Sequence, residues 1–343
     1  MKLALMMAPR MHPADPQPPQ RFYQSYVTDT LRAEEIGFDY AFYGEHHLRP
    51  CQWTPSPLML ASYCAAKTRR IRLGMSVICL PFHHPLRLAE DVATLDALCG
   101  GRFDLGVGVG SQWEEFNAWN IDPAERFGRS WEIMDILEKC FRSPTPFTHQ
   151  GKYYQLNDVD FTTKPVQKDL PIWWGGMGPK NVQKAAERGY HLYGQNAAGY
   201  DQALRAAGRN PADYIRSYGR GYLSIADTKQ QALDDAIEGY HYFRNFYLLR
   251  RRLDGTMPDA SEELTRDRIR AENEAGLGGL IADSVQGAKA RIMAALQNVP
   301  KSENYMLPFL FRGAGQSDES VNRTFDLFAR HILPEIRAWS GKA

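Results

Sequence analysis

Residues 71–111 read IRLGMSVICLPFHHPLRLAEDVATLDALCGGRFDLGVGVGS. The stretch opens on a nearly continuous apolar run over 71–80 and closes on another over 102–109, the pattern of parallel strands covered on both faces. Between them Pro85 suits a first helical position, and Leu88, Val92, Leu95 and Leu98 recur at helical spacing over 85–99. Gly100-Gly101 supplies the stop. This is a strand–helix–strand unit, and the chain repeats it. Further strand patterns lie at 2–7, 38–44, 172–175, 191–195, 221–226 and 305–310, most of them followed by an amphipathic stretch, with no long Pro/Gly/Ser linker. Eight such strands predict an α/β fold, a single (β/α)8 barrel domain over 1–343, with an open six- or seven-strand sheet as the alternative.

Two excursions account for length beyond a minimal barrel. Residues 143–170 carry turn signals around Gln150-Gly151 and short aromatic runs, and predict a β-hairpin. Residues 229–280 begin with a long helix bearing Tyr240, His241, Phe243, Phe246 and Tyr247, a stripe expected in the core. A segment with seven Arg and seven Asp or Glu between 244 and 274 follows, a solvated, salt-bridged face or else a mobile lid or dimer surface.

Composition excludes several function classes. The 343 residues hold 41 Lys plus Arg against 40 Asp plus Glu, a net charge of +1 without a basic run of the kind that tracks nucleic acid, which excludes nucleic-acid and anionic-membrane partners. Five cysteines at 51, 64, 79, 99 and 140 form no CxxC pair and read as reduced thiols of a cytoplasmic protein. The apolar run at 3–8 is cut by Pro9 and reads as a first strand, shorter than a signal-peptide core. No run reaches the ~20 apolar residues of a membrane helix.

In a barrel, chemistry sits where the strands end. Tyr43-Gly44-Glu45-His46-His47 ends the second strand with a carboxylate and two imidazoles, an acid/base set or metal ligands, or else a His bonded to a carbonyl. Successive residues point to alternate sides, which argues against His46 and His47 facing one ion. His83-His84-Pro85 starts a helix, where an imidazole can cap or pack. Pairing it with Glu45 and His46 would give a metal site, but there is no HxH at a first strand and no acidic ligand after the last strand. Gly106-Val107-Gly108-Val109-Gly110-Ser111 closes the fourth strand without completing G-x-G-x-x-G. After the fifth, Gly175-Gly176-Met177-Gly178-Pro179-Lys180 is either a structural turn or a phosphate loop, with free N–H groups at 176–178 and Lys180 nearby.

The segments FDYAFYGEHH (38–47), the 71–111 stretch, PIWWGGMG (171–178) and VNRTFDLFARHILPEIR (321–337) together resemble the bacterial luciferase-like flavin monooxygenases, a family of (β/α)8 TIM barrels. The resemblance covers nearly the whole chain and is strongest over 1–195. It implies reduced FMN and oxygen as the reactants, forming a C4a-hydroperoxide that oxygenates a small organic substrate. Members using the deazaflavin F420 more often show Asp-His where this chain has Glu45-His46, so an F420-dependent oxidoreductase on the same barrel is the alternative, followed by a metal-dependent hydrolase and a non-catalytic flavin-binding protein. The resemblance implies that His46 is the active-site imidazole, with Glu45 orienting it or closing the strand end. It places a non-proline cis bulge at Ser76-Val77 beneath the flavin, Gly108 and Gly110 along it, and the phosphate at Gly176, Met177 and Gly178. Luciferase itself carries an arginine at the place of Val109, so here the phosphate falls to Lys180 or loop amides. With no flavin-reducing domain in the sequence, a separate NAD(P)H:flavin reductase and a homodimer are further expectations.

Overall fold

The computed structural model describes residues 1–49, 52–176, 178–194, 197–219, 221–299 and 304–341. Eight parallel strands close a ring: β1 Lys2–Met7, β2 Tyr40–Tyr43, β3 Arg72–Met75, β4 Phe103–Gly108, β5 Ile172–Trp174, β6 His191–Leu192, β7 Arg216–Ser217 and β8 Tyr305–Leu310. Closure comes from β8 pairing back onto β1, with Lys2 opposite Met306 and Leu3 opposite Leu307. The expected (β/α)8 barrel is therefore the observed one.

The seventh stave differs from expectation. The ring closes through Arg216–Ser217, whereas Gly221–Ala226 touches β8 only through Gly221 and Tyr222 and then leans outward to pair with Leu280–Ser284. A two-residue stave is too short to show a period, and the apolar run just beyond it carries the stronger signal.

Side-chain alternation divides the core. Ala4, Tyr40, Phe42, Trp173 and Met306, with Tyr193 just past β6, pack inside the ring. Their neighbours Leu3, Leu5, Ala41, Tyr43 and Leu307 face the helical layer. Phe42 fills the space that a Cβ on Gly74 would need, at 2.3 Å. Inside the same ring Asp104 accepts from Trp173 Nε1 at 2.7 Å and from Arg72 Nε at 2.7 Å, so a buried carboxylate on β4 is both paired and hydrogen-bonded.

The helix of the opening stretch is Pro85–Leu98, with Leu88, Val92 and Leu95 buried, and Gly100 and Gly101 at φ 64° and 78° turning the chain into β4. Leu98, expected in that stripe, is 69% exposed. Within 143–170 the hairpin Phe147–Gln150 with Gln155–Val159 forms where the turn signals stand. Within 229–280 lies the helix Lys229–Leu248, whose N-terminus Thr228 caps by accepting from the Gln231 N–H at 3.1 Å. The arginine- and acid-rich segment after it forms surface pairs, among them Arg266–Glu238, Arg252–Glu262 and Arg268–Glu272. No helix among the described residues is long and apolar enough to cross a membrane.

Candidate active site

Past β2 the chain turns at Gly44 and Glu45 into a short antiparallel hairpin, His46–Arg49 with Gln52–Thr54. This irregular pair sends neighbouring side chains to different places. Glu45 is 2% exposed and turns under the end of β3. There one carboxylate oxygen accepts the Cys79 N–H, and the other accepts from His83 Nε2 at 2.7 Å with His47 Nε2 3.1 Å away. Burial favours the neutral acid, yet the two imidazoles hold its pKa at about 2. Burial depresses the imidazolium of His83 as well, but the Glu45 carboxylate outweighs that and raises its pKa. His47 packs against Trp119 and Phe82.

His46 turns the opposite way, onto a cavity of about 560 Å³ at the strand ends. Its Nδ1 lies 3.2 Å from Glu115 Oε1, which also accepts the His47 N–H at 2.7 Å, and its Nε2 lies 3.1 Å from the Tyr247 hydroxyl. That hydroxyl accepts from Arg10 Nη2 at 2.8 Å. The partners fix the tautomer: Glu115 Oε1 already acts as acceptor for the His47 N–H, and the Tyr247 oxygen accepts from Arg10, so Nδ1 carries the proton and Nε2 presents a lone pair to the Tyr247 O–H. Burial lowers the His46 pKa below 6.5, with Glu115 opposing the shift and Arg10 adding to it. The imidazole is neutral at neutral pH, poised to take a proton at Nε2 while Glu115 stabilises the resulting cation.

The orienting carboxylate is thus Glu115, fully buried on the short helix Trp113–Ala118, and Glu45 touches His47 and His83 instead of His46. Sequence reasoning passed over Glu115, although an acid seven residues after a stave, in the first turn of a helix, is a legible signal. Tyr247 was read as core. The structure puts Tyr240, Phe243 and Tyr247 on the cavity wall, three and then four residues apart along Lys229–Leu248.

The residues expected around a flavin divide between cavity and support. Ser76 lines the cavity with a buried Oγ that has no partner among the described residues. The Ser76-Val77 peptide bond is cis, as the resemblance implied. Val77 fits between two glycines: a Cβ on Gly108 would meet Val77 Cγ2 at 2.5 Å and one on Gly175 would meet Cγ1 at 2.6 Å. Gly110, at φ 74°, backs onto Phe116 and Phe82. Gly176 lies over Trp174, whose buried Nε1 is also unpaired, and Gly178 caps the helix Pro179–Arg188 with Lys180 exposed on its first turn. Met177 lies outside the described residues. Gln112, fully buried with both amide atoms unpaired, is a further hydrogen-bonding group beside β4 that the sequence reading did not single out. A shallow wall of glycine and Val77, flanked by unpaired donors, fits a flat heteroaromatic ring that carries its own acceptors.

One metal-capable cluster occurs among the described residues: Glu45, His47 and His83 offer ligand atoms within 4.8 Å of one another. His83 Nε2 is hydrogen-bonded to Glu45 and His47 Nε2 lies at ion-pair distance from the same oxygen, so an ion would have to displace the proton between Glu45 and His83.

Comparison with known proteins agrees with this geometry. The sequence model of the luciferase-like monooxygenases matches residues 1–295. The 4-hydroxyprotoasukamycin monooxygenase of Streptomyces nodosus subsp. asukaensis is 29% identical over 322 residues, 88% of this chain and 84% of that protein. Among solved structures, the FMN-bound oxygenating constituent of 3,6-diketocamphane monooxygenase from Pseudomonas putida, a type II Baeyer-Villiger enzyme, superposes with a TM-score of 0.74 at 20% identity, covering 98% of each chain. An F420-dependent secondary alcohol dehydrogenase superposes with a TM-score of 0.70 at 18% identity, covering 97% of this chain and 98% of the other. The fold is thus shared by proteins that use either cofactor. With a family match that spans most of the sequence and a barrel that places His46 over a cavity at its strand ends, the chain belongs to the luciferase-like monooxygenase family.

Proposed function

We propose that the chain is the oxygenating component of a two-component monooxygenase that works with reduced FMN, molecular oxygen and a small organic substrate. A separate NAD(P)H:flavin reductase supplies the reduced flavin, and a homodimer is the working assembly. The observation that carries this reading is the neutral His46, held between Glu115 and Tyr247 on the wall of a cavity that also contains Ser76.

When bound, reduced flavin supplies the two electrons that let one atom of oxygen enter the substrate and the other leave as water. Ser76, Val77, Gly108 and Gly176 would hold the ring, and the 176–178 loop with Lys180 the phosphate. Glu115 keeps the Nδ1 proton on His46, so Nε2 is the atom that accepts a proton from the substrate and returns it. Tyr247 passes or withholds that proton through its own hydroxyl. Tyr222, Tyr240, Phe243 and Leu310 line the cavity and exclude water from the reacting centre.

The test is an anaerobic titration with reduced FMN and, in parallel, with reduced F420, followed by admission of oxygen. Tight binding of reduced FMN with oxygen-dependent product is expected, and His46→Gln should lower product formation by roughly 10²- to 10⁴-fold while flavin still binds. Binding of F420 alone, with hydride transfer and no oxygen uptake, would overturn the assignment.

A further inference from the structure

Several arginines that lie wholly or partly out of solvent are paired with acids, while Arg102 and Arg291 are met by backbone carbonyls, Thr68 and Asn273. Arg312 donates to Asp29 at 2.6 and 2.9 Å, Arg72 to Asp104, and Arg216 lies 2.8 Å from Asp201. Arg323 and Arg188 meet Asp235 and Asp135. This is the ordinary condition of a desolvated guanidinium, because a buried charge without a counter-charge is costly.

On the cavity wall two arginines have neither an acid nor a set of backbone carbonyls as partner among the described residues. Arg10 is 4% exposed, and its partners are the Tyr247 hydroxyl and the faces of Phe243, Phe246 and Tyr247, with its centre 4.6 Å from the Phe243 ring centroid. Its Nε is buried and unpaired. Arg244, four residues along from Tyr240, donates to the Tyr240 hydroxyl at 2.8 Å. Among the described residues neither has a carboxylate within ion-pair distance, and the cavity wall holds two arginines and no acid. Aromatic faces ease the burial of a cation but do not neutralise it.

We propose that Arg10 and Arg244 form the anion-binding end of the substrate site, so that the molecule oxygenated here is an organic acid whose carboxylate lies on the two guanidiniums and whose apolar body lies along Tyr222, Phe243 and Leu310. A planar fork with fixed donors suits a carboxylate, and the unpaired Arg10 Nε is one such donor. The anion at this end is the substrate's and not the phosphate of the cofactor, whose expected place is the loop after β5. The acid also comes within reach of the Tyr247 hydroxyl that bonds His46, which ties its arrival to the proton-carrying imidazole. The inference rests on the function proposed above.

The test uses the intact protein saturated with FMN and follows the flavin spectrum and calorimetric heat on adding benzoate, methyl benzoate, benzamide or inorganic phosphate. Benzoate should bind at least about tenfold more tightly than its ester or amide, and phosphate alone should not compete. Arg244→Met should weaken benzoate by roughly 10- to 100-fold with FMN affinity unchanged, and Arg10→Met should do the same if it folds. Equal binding of acid and ester would overturn the proposal. So would loss of FMN affinity together with benzoate affinity in Arg244→Met, which would assign the arginines to the cofactor phosphate. If FMN fails to bind but benzoate still prefers the wild-type protein over Arg244→Met, the flavin reading falls and the acid site stands.

Discussion

An imidazole held between a carboxylate and a phenol responds to changes in either neighbour, and His46 has one of each. Because burial lowers its pKa below 6.5, kcat/KM should be flat at neutral pH and fall only where His46 becomes protonated, on an acidic limb below 6.5. Glu115→Gln keeps the volume but removes the negative charge that stabilises the protonated imidazole, and its amide can turn either a donor or an acceptor to Nδ1. It should cost roughly 10²-fold in kcat with little change in flavin affinity, and steady-state kinetics with a flavin titration separate the two. The buried trio around Glu45 acts on stability instead. Glu45, held at about 2 against 4.5 unfolded, contributes stability that is complete above 4.5 and lost as pH falls towards 2. His83, raised above 6.5, contributes stability that is complete below 6.5 and lost as pH climbs through its folded pKa. Urea unfolding should therefore show the gap between wild type and His83→Gln at its largest between 4.5 and 6.5, shrinking as pH rises through the raised pKa of His83. A gap that does not vary with pH would remove the ion pair from the account.

Elements set the surface against which those residues work. On β4 a Cβ at position 106 would stand 1.7 Å from the Met75 carbonyl oxygen, a backbone atom with nowhere to go, whereas one at 108 would press on the Val77 side chain at 2.5 Å and reach the Gly175 carbonyl oxygen at an ordinary 3.7 Å. Gly106→Ala should consequently cost more than about 3 kcal/mol or prevent folding, while Gly108→Ala should fold and lose FMN affinity, readable by thermal melts and flavin fluorescence. The GVGVG run was legible as a site of close approach, but what approaches, a neighbouring strand at 106 and the Val77 side chain at 108, is a matter of sheet register. Helix Lys229–Leu248 shows the same limit from the other side. Its aromatic stripe has helical spacing whether it faces core or cavity, and only the position of the helix over the strand ends turns Tyr247 towards His46.

At the scale of the whole molecule, helix Pro57–Lys67 leaves Met59 74% and Tyr63 51% exposed, one turn apart, beside a groove that it shares with Tyr23 and Val27 of helix Pro19–Ile36. Two exposed apolar side chains on one helix face, beside an apolar groove, support the proposed homodimer. Light scattering should give twice the chain mass for wild type and a single chain mass for Met59→Glu with its thermal melt retained; a monomeric wild type would refute it. The sequence by itself determined the barrel, because alternating strand and helix periods over 71–111 and its repeats are local properties of the chain. It also pointed to the strand ends, where His46 and Ser76 line the cavity. The tertiary structure alone decided which carboxylate serves His46, which aromatic residues face the cavity, and that Arg10 and Arg244 meet there without an acid. Those pairings join residues 69 and 201 positions from His46, and distances of that kind are set by how the staves close, not by any spacing along the chain.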